Sequence, residues 1–209
     1  MASTANQQYA GRVPSTSPIW RAVRETAGQV LLWEGDLFPA FYHTESGGYT
    51  EDPRTVFATR NMPALKPVRC EFSAGSPHYY WSLDVRLADL TEILRRNDVA
   101  VVGGVTAIEV TERTRRCAAT VAGPWNTGRR PAARQRLPAH GRLRHVQVHA
   151  LAVAVDAQVA ALPGRGYGHG VGMCQWGAKA IGRAGIRARQ ILEFYYPGTT
   201  PGILERASR

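Results

Sequence analysis

The passage with the most unusual spacing for chemistry is residues 164–177, which hold six glycines in 14 residues. Such a run either cradles a ligand or makes tight backbone turns. It is not a dinucleotide fingerprint, because the places five residues after its first four glycines hold His, Val, Met and Gln. It is not a phosphate loop either, since Gly177 is followed by Ala178 and Lys179 rather than by Lys and a hydroxyl residue. The functional side chains that remain are His169, Cys174, Gln175 and Trp176.

A second polar, glycine-bearing segment lies far upstream at residues 43–51. Its polar and glycine positions are His43, Glu45, Ser46, Gly47, Gly48, Thr50 and Glu51. This composition is typical of a loop.

Together the two segments resemble the SpoIID/LytB family of bacterial cell-wall remodelling proteins. The passage GRGYGHGVGMCQWGAKAIGRAGIRARQILEFYYPGT is similar to the family's signature. The passage AVRETAGQVLLWEGDLFPAFYHTESGGYTED resembles the segment in which a helix and a hairpin lead to a His/Ser-x-x-Ser-Gly-Gly-x-Thr-Glu loop. The resemblance covers most of the chain, with residues 124–159 as the exception.

The resemblance implies a peptidoglycan protein of sporulation or cell-wall turnover. Family members resemble lytic transglycosylases, which cleave glycan strands, or enhancers of N-acetylmuramoyl-L-alanine amidases. A lytic transglycosylase needs one protonated carboxyl group that donates to the glycosidic oxygen. In the family that Glu lies in an N-terminal motif like Gly/Ala-Glu-Met-Pro, which this sequence does not contain. We therefore expect residues 1–209 to be a single SpoIID/LytB-type domain that lacks its N-terminal part and binds glycan strands without the family's catalytic Glu.

Two other carboxyl groups could supply the acid, namely Glu51 and Glu45 in the 43–51 segment. If one of them does, the chain is an active lytic transglycosylase. The alternative is that both are solvated loop carboxylates with a pKa near 4, which makes a poor acid at neutral pH. We favour this alternative, so both are weak catalytic candidates.

The resemblance also implies that the substrate groove forms where the 43–51 segment meets the glycine-rich segment. The substrate-binding residues expected there are His43, Ser46, Gly47, Gly48, Thr50, Gly168, His169, Gly170, Gln175 and Trp176. His169 would hydrogen-bond sugar or shape the loop, and Trp176 would stack on a pyranose or pack beneath the loop. Because glycines flank His169 on both sides, we expect at least one of Gly168 and Gly170 to have a positive φ angle or to let a ligand approach the backbone.

No cofactor or metal is expected. Some relatives bind zinc near His43 with extra Cys or His, but Ser46 and Tyr49 stand in those places here. The three cysteines are far apart in the sequence and form no metal-ligand spacing. Cys174 stands where the family usually has Ser, and only its closeness in sequence to His169 argues for a Cys–His nucleophile, so we do not adopt one.

The helices and strands that would position these segments indicate an α+β fold. This fold would have mostly antiparallel strands, short helices and a C-terminal helical hairpin. The helices are predicted at residues 19–27, 87–96, 175–183 and 187–196. The strands are predicted at 29–33 and 37–42 as a hairpin, and at 81–87, 105–112, 116–121 and 146–155.

Charge is concentrated in one segment. The net charge is +10, and nine arginines lie between Arg113 and Arg144 in a stretch without acidic residues. Residues 124–145 are therefore predicted to be an Arg-rich insert or linker. A nucleic-acid-binding protein is the third hypothesis, but the only aromatic residue among these arginines is Trp125, so a solvated basic segment is favoured.

The sequence contains no apolar run long enough for a membrane span and no export signal after Met1. A place outside the cytoplasm or at the cell wall is thus implied by the resemblance alone. If Met1 is the true start, the chain would stay in the cytoplasm.

Overall fold

A computed structural model describes residues 14–57, 62–96, 105, 109–113, 119–122, 154–156 and 158–204. The helices among these residues are α1 (Pro18–Glu25), α2 (Pro53–Phe57), α3 (Leu87–Arg96), α4 (Gln175–Arg183) and α5 (Ala188–Tyr195). The strands are β1 (Gln29–Trp33), β2 (Asp36–Leu37), β3 (Tyr42–His43), β4 (Gly48–Tyr49), β5 (Arg69–Cys70), β6 (Tyr80–Arg86), β7 (Glu109–Arg113), β8 (Ala119–Ala122), β9 (Ala154–Asp156), β10 (Val159–Arg165), β11 (Met173–Cys174) and β12 (Thr200–Ile203). Two 3-10 turns span Pro63–Leu65 and Glu71–Ser73. The predicted α+β fold is confirmed.

The chain divides into two compact units, of which the first comprises the residues before Pro39 and after Gly198. In this unit Ser17 caps α1, because its hydroxyl accepts the backbone N–H of Ile19 at 3.3 Å. Strand β1 lies between β12 and β2, antiparallel to both. The predicted helix and hairpin are confirmed, although β2 is shorter than expected and β12 was not predicted.

The second unit comprises residues 39–198. Its largest sheet has the order β6-β10-β9, with antiparallel pairing throughout. The alternation predicted around Trp81 is confirmed, since exposed and half-buried residues alternate along β6. Helix α3 follows at once and buries Leu87, Leu90 and Leu94.

Two-stranded pairs complete this unit. Strand β11 pairs in parallel with β3, while β4 pairs with β5 and β7 with β8 in antiparallel fashion. The predicted C-terminal helices are α4 and α5, and the end of α5 buries Tyr195 and its C-cap Tyr196. The Tyr196 hydroxyl donates to the carbonyl of Phe41 at 2.7 Å, so the end of α5 is fixed to the segment that leads into β3.

Some predictions fall outside the described residues. The Arg-rich stretch 124–145 lies there entirely, and of the strand predicted at 146–155 only its end can be compared with β9. The prediction of one domain for residues 1–209 stays a prediction. Among the described helices, none combines the length and apolar character needed to cross a membrane.

Candidate functional site

The structure brings together the two segments singled out in the sequence. We call residues 43–51 the His43 loop and residues 166–172 the His169 loop. The backbones of Glu45 and Tyr167 exchange two hydrogen bonds, of 2.8 and 2.9 Å, and the Glu51 N–H donates to the carbonyl of Gly170 at 2.8 Å. These bonds, with the parallel pairing of β3 and β11, hold the loops side by side. Residues more than 100 positions apart thus form one site.

His169 lies half-buried at this junction. Its Nδ1 accepts the backbone N–H of Val171 at 3.0 Å, so the neutral imidazole carries its ring proton on Nε2. The ring packs edge-on against Phe57, with 5.1 Å between ring centroids, and its centroid lies 5.7 Å from that of His43. The orientation of His169 is therefore set by its own loop and by aromatic packing.

The two glycines beside His169 both have positive φ angles, +105° at Gly168 and +83° at Gly170, which confirms the prediction. A Cβ atom on Gly168 would lie 2.9 Å from Cβ of His43 and 3.2 Å from the backbone nitrogen of Thr44. The His169 loop thus approaches the His43 loop more closely than a side chain would allow.

The expected binding residues of the His43 loop are buried. His43, Ser46, Gly47, Gly48 and Thr50 have little or no exposed surface. The His43 Nδ1 lies 3.2 Å from the carbonyl oxygen of Val171, and the Thr50 hydroxyl accepts the N–H of Val68 at 2.8 Å. These contacts indicate that the buried side chains hold the conformation of the loop from the protein interior. Contact of these residues with a sugar stays a prediction.

Glu45 and Glu51 do not behave as the solvated loop carboxylates that we expected. Glu45 is 0% exposed and Glu51 is 5% exposed. Oε1 of Glu45 accepts the Ser73 hydroxyl at 2.6 Å and the Gly47 N–H at 3.0 Å, so the turn of the loop is built around this carboxyl group. Burial raises the pKa of Glu45, although the bond from Ser73 opposes this shift. The expectation was wrong because Glu45 is turned inward and accepts hydrogen bonds from Gly47 in the loop and from Ser73 outside it. Glu51 likewise accepts the backbone N–H of Asp52.

Aromatic and amide side chains form the exposed part of the site. Tyr167 is 36% exposed, and its ring lies 5.1 Å from that of His78. Gln175 is exposed at the start of α4. Trp176 is half-buried and carries the Lys179 ammonium 4.3 Å above its ring. Of the residues predicted to bind sugar, His169, Gln175 and Trp176 are therefore the ones whose side chains reach the surface.

Several curated proteins are similar to the chain, although no family model matches it. The chain is 27% identical to the amidase enhancer of Bacillus subtilis (strain 168), over 95% of this chain and 34% of that protein. It is 28% identical to stage II sporulation protein D of Bacillus amyloliquefaciens, over 86% of this chain and 49% of that protein. These similarities support the resemblance to the SpoIID/LytB family. The chain spans between a third and a half of the length of these curated relatives.

Sequence reasoning missed the surroundings of Cys174. Its sulfur accepts the Gly177 N–H at 3.3 Å and caps α4, and it lies 3.8 Å from the carbonyl oxygen of Thr44. The Cys70 sulfur also lies 3.0 Å from the Tyr195 hydroxyl. No local signal could have paired Cys70 with Cys174, because the pairing depends on tertiary structure.

No metal site was expected from the sequence. Among the described residues, no group of three or more His, Cys, Asp or Glu side chains is placed to hold a metal ion. The expectation that the chain uses no cofactor stays a prediction.

Proposed function

We propose that the chain binds the glycan strands of peptidoglycan and acts in cell-wall remodelling, through the surface where the His43 and His169 loops meet. The observation that supports this most is the hydrogen-bonded junction of the two loops, with His169 fixed at its surface. The names of the homologues, amidase enhancer and stage II sporulation protein D, support the process.

The chemistry of the exposed side chains suits a carbohydrate. The Nε2 proton of neutral His169 can donate to a sugar hydroxyl, and the Gln175 amide can both donate and accept. Aromatic rings such as that of Tyr167 offer a flat apolar face to the C–H groups of a pyranose. None of these groups needs to be charged, which fits a neutral polysaccharide backbone.

We also propose a protein partner and a cellular location for this function. An N-acetylmuramoyl-L-alanine amidase is the expected protein partner, because one homologue is named an amidase enhancer. Peptidoglycan lies outside the cytoplasmic membrane, so the chain would work there or at the cell wall.

A second candidate function is a lytic transglycosylase that uses Glu45 as its acid. The raised pKa of Glu45 favours it, since a general acid must keep its proton near neutral pH. Its lack of exposed surface opposes it, because the acid must contact the glycosidic oxygen. We therefore propose that Glu45 and Glu51 position the loop and that glycan binding is the function of this part of the protein.

Co-sedimentation with purified peptidoglycan tests the binding proposal. His169→Ala should weaken retention ~2- to 10-fold, the effect of losing one neutral hydrogen bond, and should also lower the melting temperature, because the N–H of buried Val171 loses its acceptor. Ser82→Ala removes a polar group from an exposed position of β6 and serves as the control, which should bind like the unmodified chain. Unchanged retention for His169→Ala would count against the proposed site.

Product analysis separates the two candidates. Glycan strands stripped of stem peptides are incubated with the protein and searched for anhydromuramyl ends. We expect none to form. Their release, abolished by Glu45→Gln or Glu51→Gln, would replace the binding proposal with the enzymatic one.

A further inference from the structure

Two cysteines outside the exposed part of the site lie against each other in the interior. Cys70 ends β5 and Cys174 ends β11, and both are 0% exposed. Both border Gly177, since a Cβ atom on that glycine would lie 2.5 Å from the Cys70 sulfur and 3.5 Å from Cβ of Cys174. Each of the two thiols also shifts the pKa of the other. Neither is in a disulfide in this structure.

The surroundings of the two sulfur atoms differ in a way that suits thiol exchange. The hydrogen bond from Cys70 lowers the pKa of Cys174, and His43 lowers it further. The same hydrogen bond, together with burial, raises the pKa of Cys70. The N-terminus of α4 also favours an anion at Cys174, whose sulfur accepts the Gly177 N–H at 3.3 Å. Cys174 is thus the nucleophile of the pair and Cys70 the thiol that would resolve it.

We propose that Cys70 and Cys174 form an intramolecular disulfide when the chain folds in the presence of an oxidising thiol–disulfide partner, because both sulfur atoms are buried once it has folded. The Cys174 thiolate attacks one sulfur of an external disulfide and releases one thiolate, which takes up the proton that the Cys174 thiol has lost. The Cys70 sulfur then attacks the mixed disulfide at Cys174 and releases the second thiolate, which takes the Cys70 proton. The external disulfide is reduced to two thiols while the two protein thiols are oxidised to one disulfide.

This bond would fix the geometry of the candidate site. Strand β5 pairs with β4 in the His43 loop, and Cys174 follows the His169 loop directly. The disulfide would therefore link β5, which pairs with the His43 loop, covalently to β11, which follows the His169 loop. It would close a ~100-residue loop, which lowers the entropy of the unfolded chain.

The test uses Cys117→Ala protein, so that Cys70 and Cys174 are the cysteines that remain. The protein is unfolded, refolded with oxidised or reduced glutathione, digested and analysed by mass spectrometry, and its free thiols are counted. We expect the oxidised sample to contain a Cys70–Cys174 linked peptide, to have no free thiol, and to melt ~10 °C above the reduced sample.

A matched variant, Cys174→Ser on the same background, keeps a side chain that can cap α4 and should neither cross-link nor gain stability on oxidation. Two persistent free thiols in the oxidised Cys117→Ala protein would overturn the proposal. So would glutathione adducts without the linked peptide, or a cross-linked form that melts below the reduced one.

Discussion

Replacing Gly168 with alanine tests the close approach of the two loops. At φ +105° an L-residue pays ~1–2 kcal/mol in backbone strain. The new Cβ would lie 2.9 Å from Cβ of His43, so the loops must separate slightly, at a further cost of ~1–3 kcal/mol. We therefore expect the free energy of unfolding to fall by ~2–5 kcal/mol, measured by urea denaturation with tryptophan fluorescence.

Gly185→Ala is the matched control for this experiment. Gly185 has a φ of +87°, and a Cβ atom there would meet nothing within 4 Å. In this variant the free energy of unfolding should fall only by the cost of backbone strain, ~1–2 kcal/mol. If the two variants unfold at the same urea concentration with equal slopes, the loops do not pack as described and the reasoning is refuted.

Two further perturbations probe the interior. Burial raises the pKa of Glu45 above its ordinary value of 4.5, so the folded state binds this proton more tightly and stability should fall as the pH rises above 4.5. Urea midpoints from pH 4.5 to about 7 should show a smaller fall for Glu45→Gln, and identical slopes would contradict this. Gly177→Ala would press a Cβ atom against Tyr195 and Cys70, so the free energy of unfolding should fall by ~2–4 kcal/mol. Gly182→Ala, in the same helix and with only an ordinary contact at 3.7 Å, should gain ~0.5–1 kcal/mol in the same denaturation assay.

Elements with a local signal could be predicted from the sequence. Helix α3 follows the predicted 87–96 span, and α1 (Pro18–Glu25) overlaps most of the helix predicted at 19–27. The alternation along β6 was visible because one face of the strand is more buried than the other. In each case the pattern lies within one segment and reflects burial of one face or satisfaction of a helix end.

Strands that contain turn-forming residues were missed for a tertiary reason. Strand β10 includes Pro163 and Gly164, and a Cβ atom on Gly164 would overlap the Trp81 ring on the neighbouring strand. Strand β12 likewise includes Gly202, where a Cβ atom would lie 2.6 Å from Cδ1 of Leu32. These glycines make room for a neighbour's side chain, and that neighbour cannot be identified from the local sequence.

The sequence could predict which segments form the candidate site, but not which of their side chains are buried. The glycine pattern around His169 indicated positive φ angles, which the structure has. Which side chains of the His43 loop point inward depends on partners such as Ser73, which lies beyond a proline-containing, aperiodic stretch. The inward position of Glu45 therefore had no signal in the sequence.

The central claim, that glycan strands bind at the junction of the two loops, is tested most directly by NMR. Glycan strands freed of stem peptides are titrated into the labelled chain, and the imidazole signals of His169 and the amide signals of Gly168 and Gly170 are followed. We expect these signals to shift in a saturable manner, with weaker saturation in His169→Ala for the two glycines. Saturable shifts confined to other residues, or no shifts at all, would contradict the account.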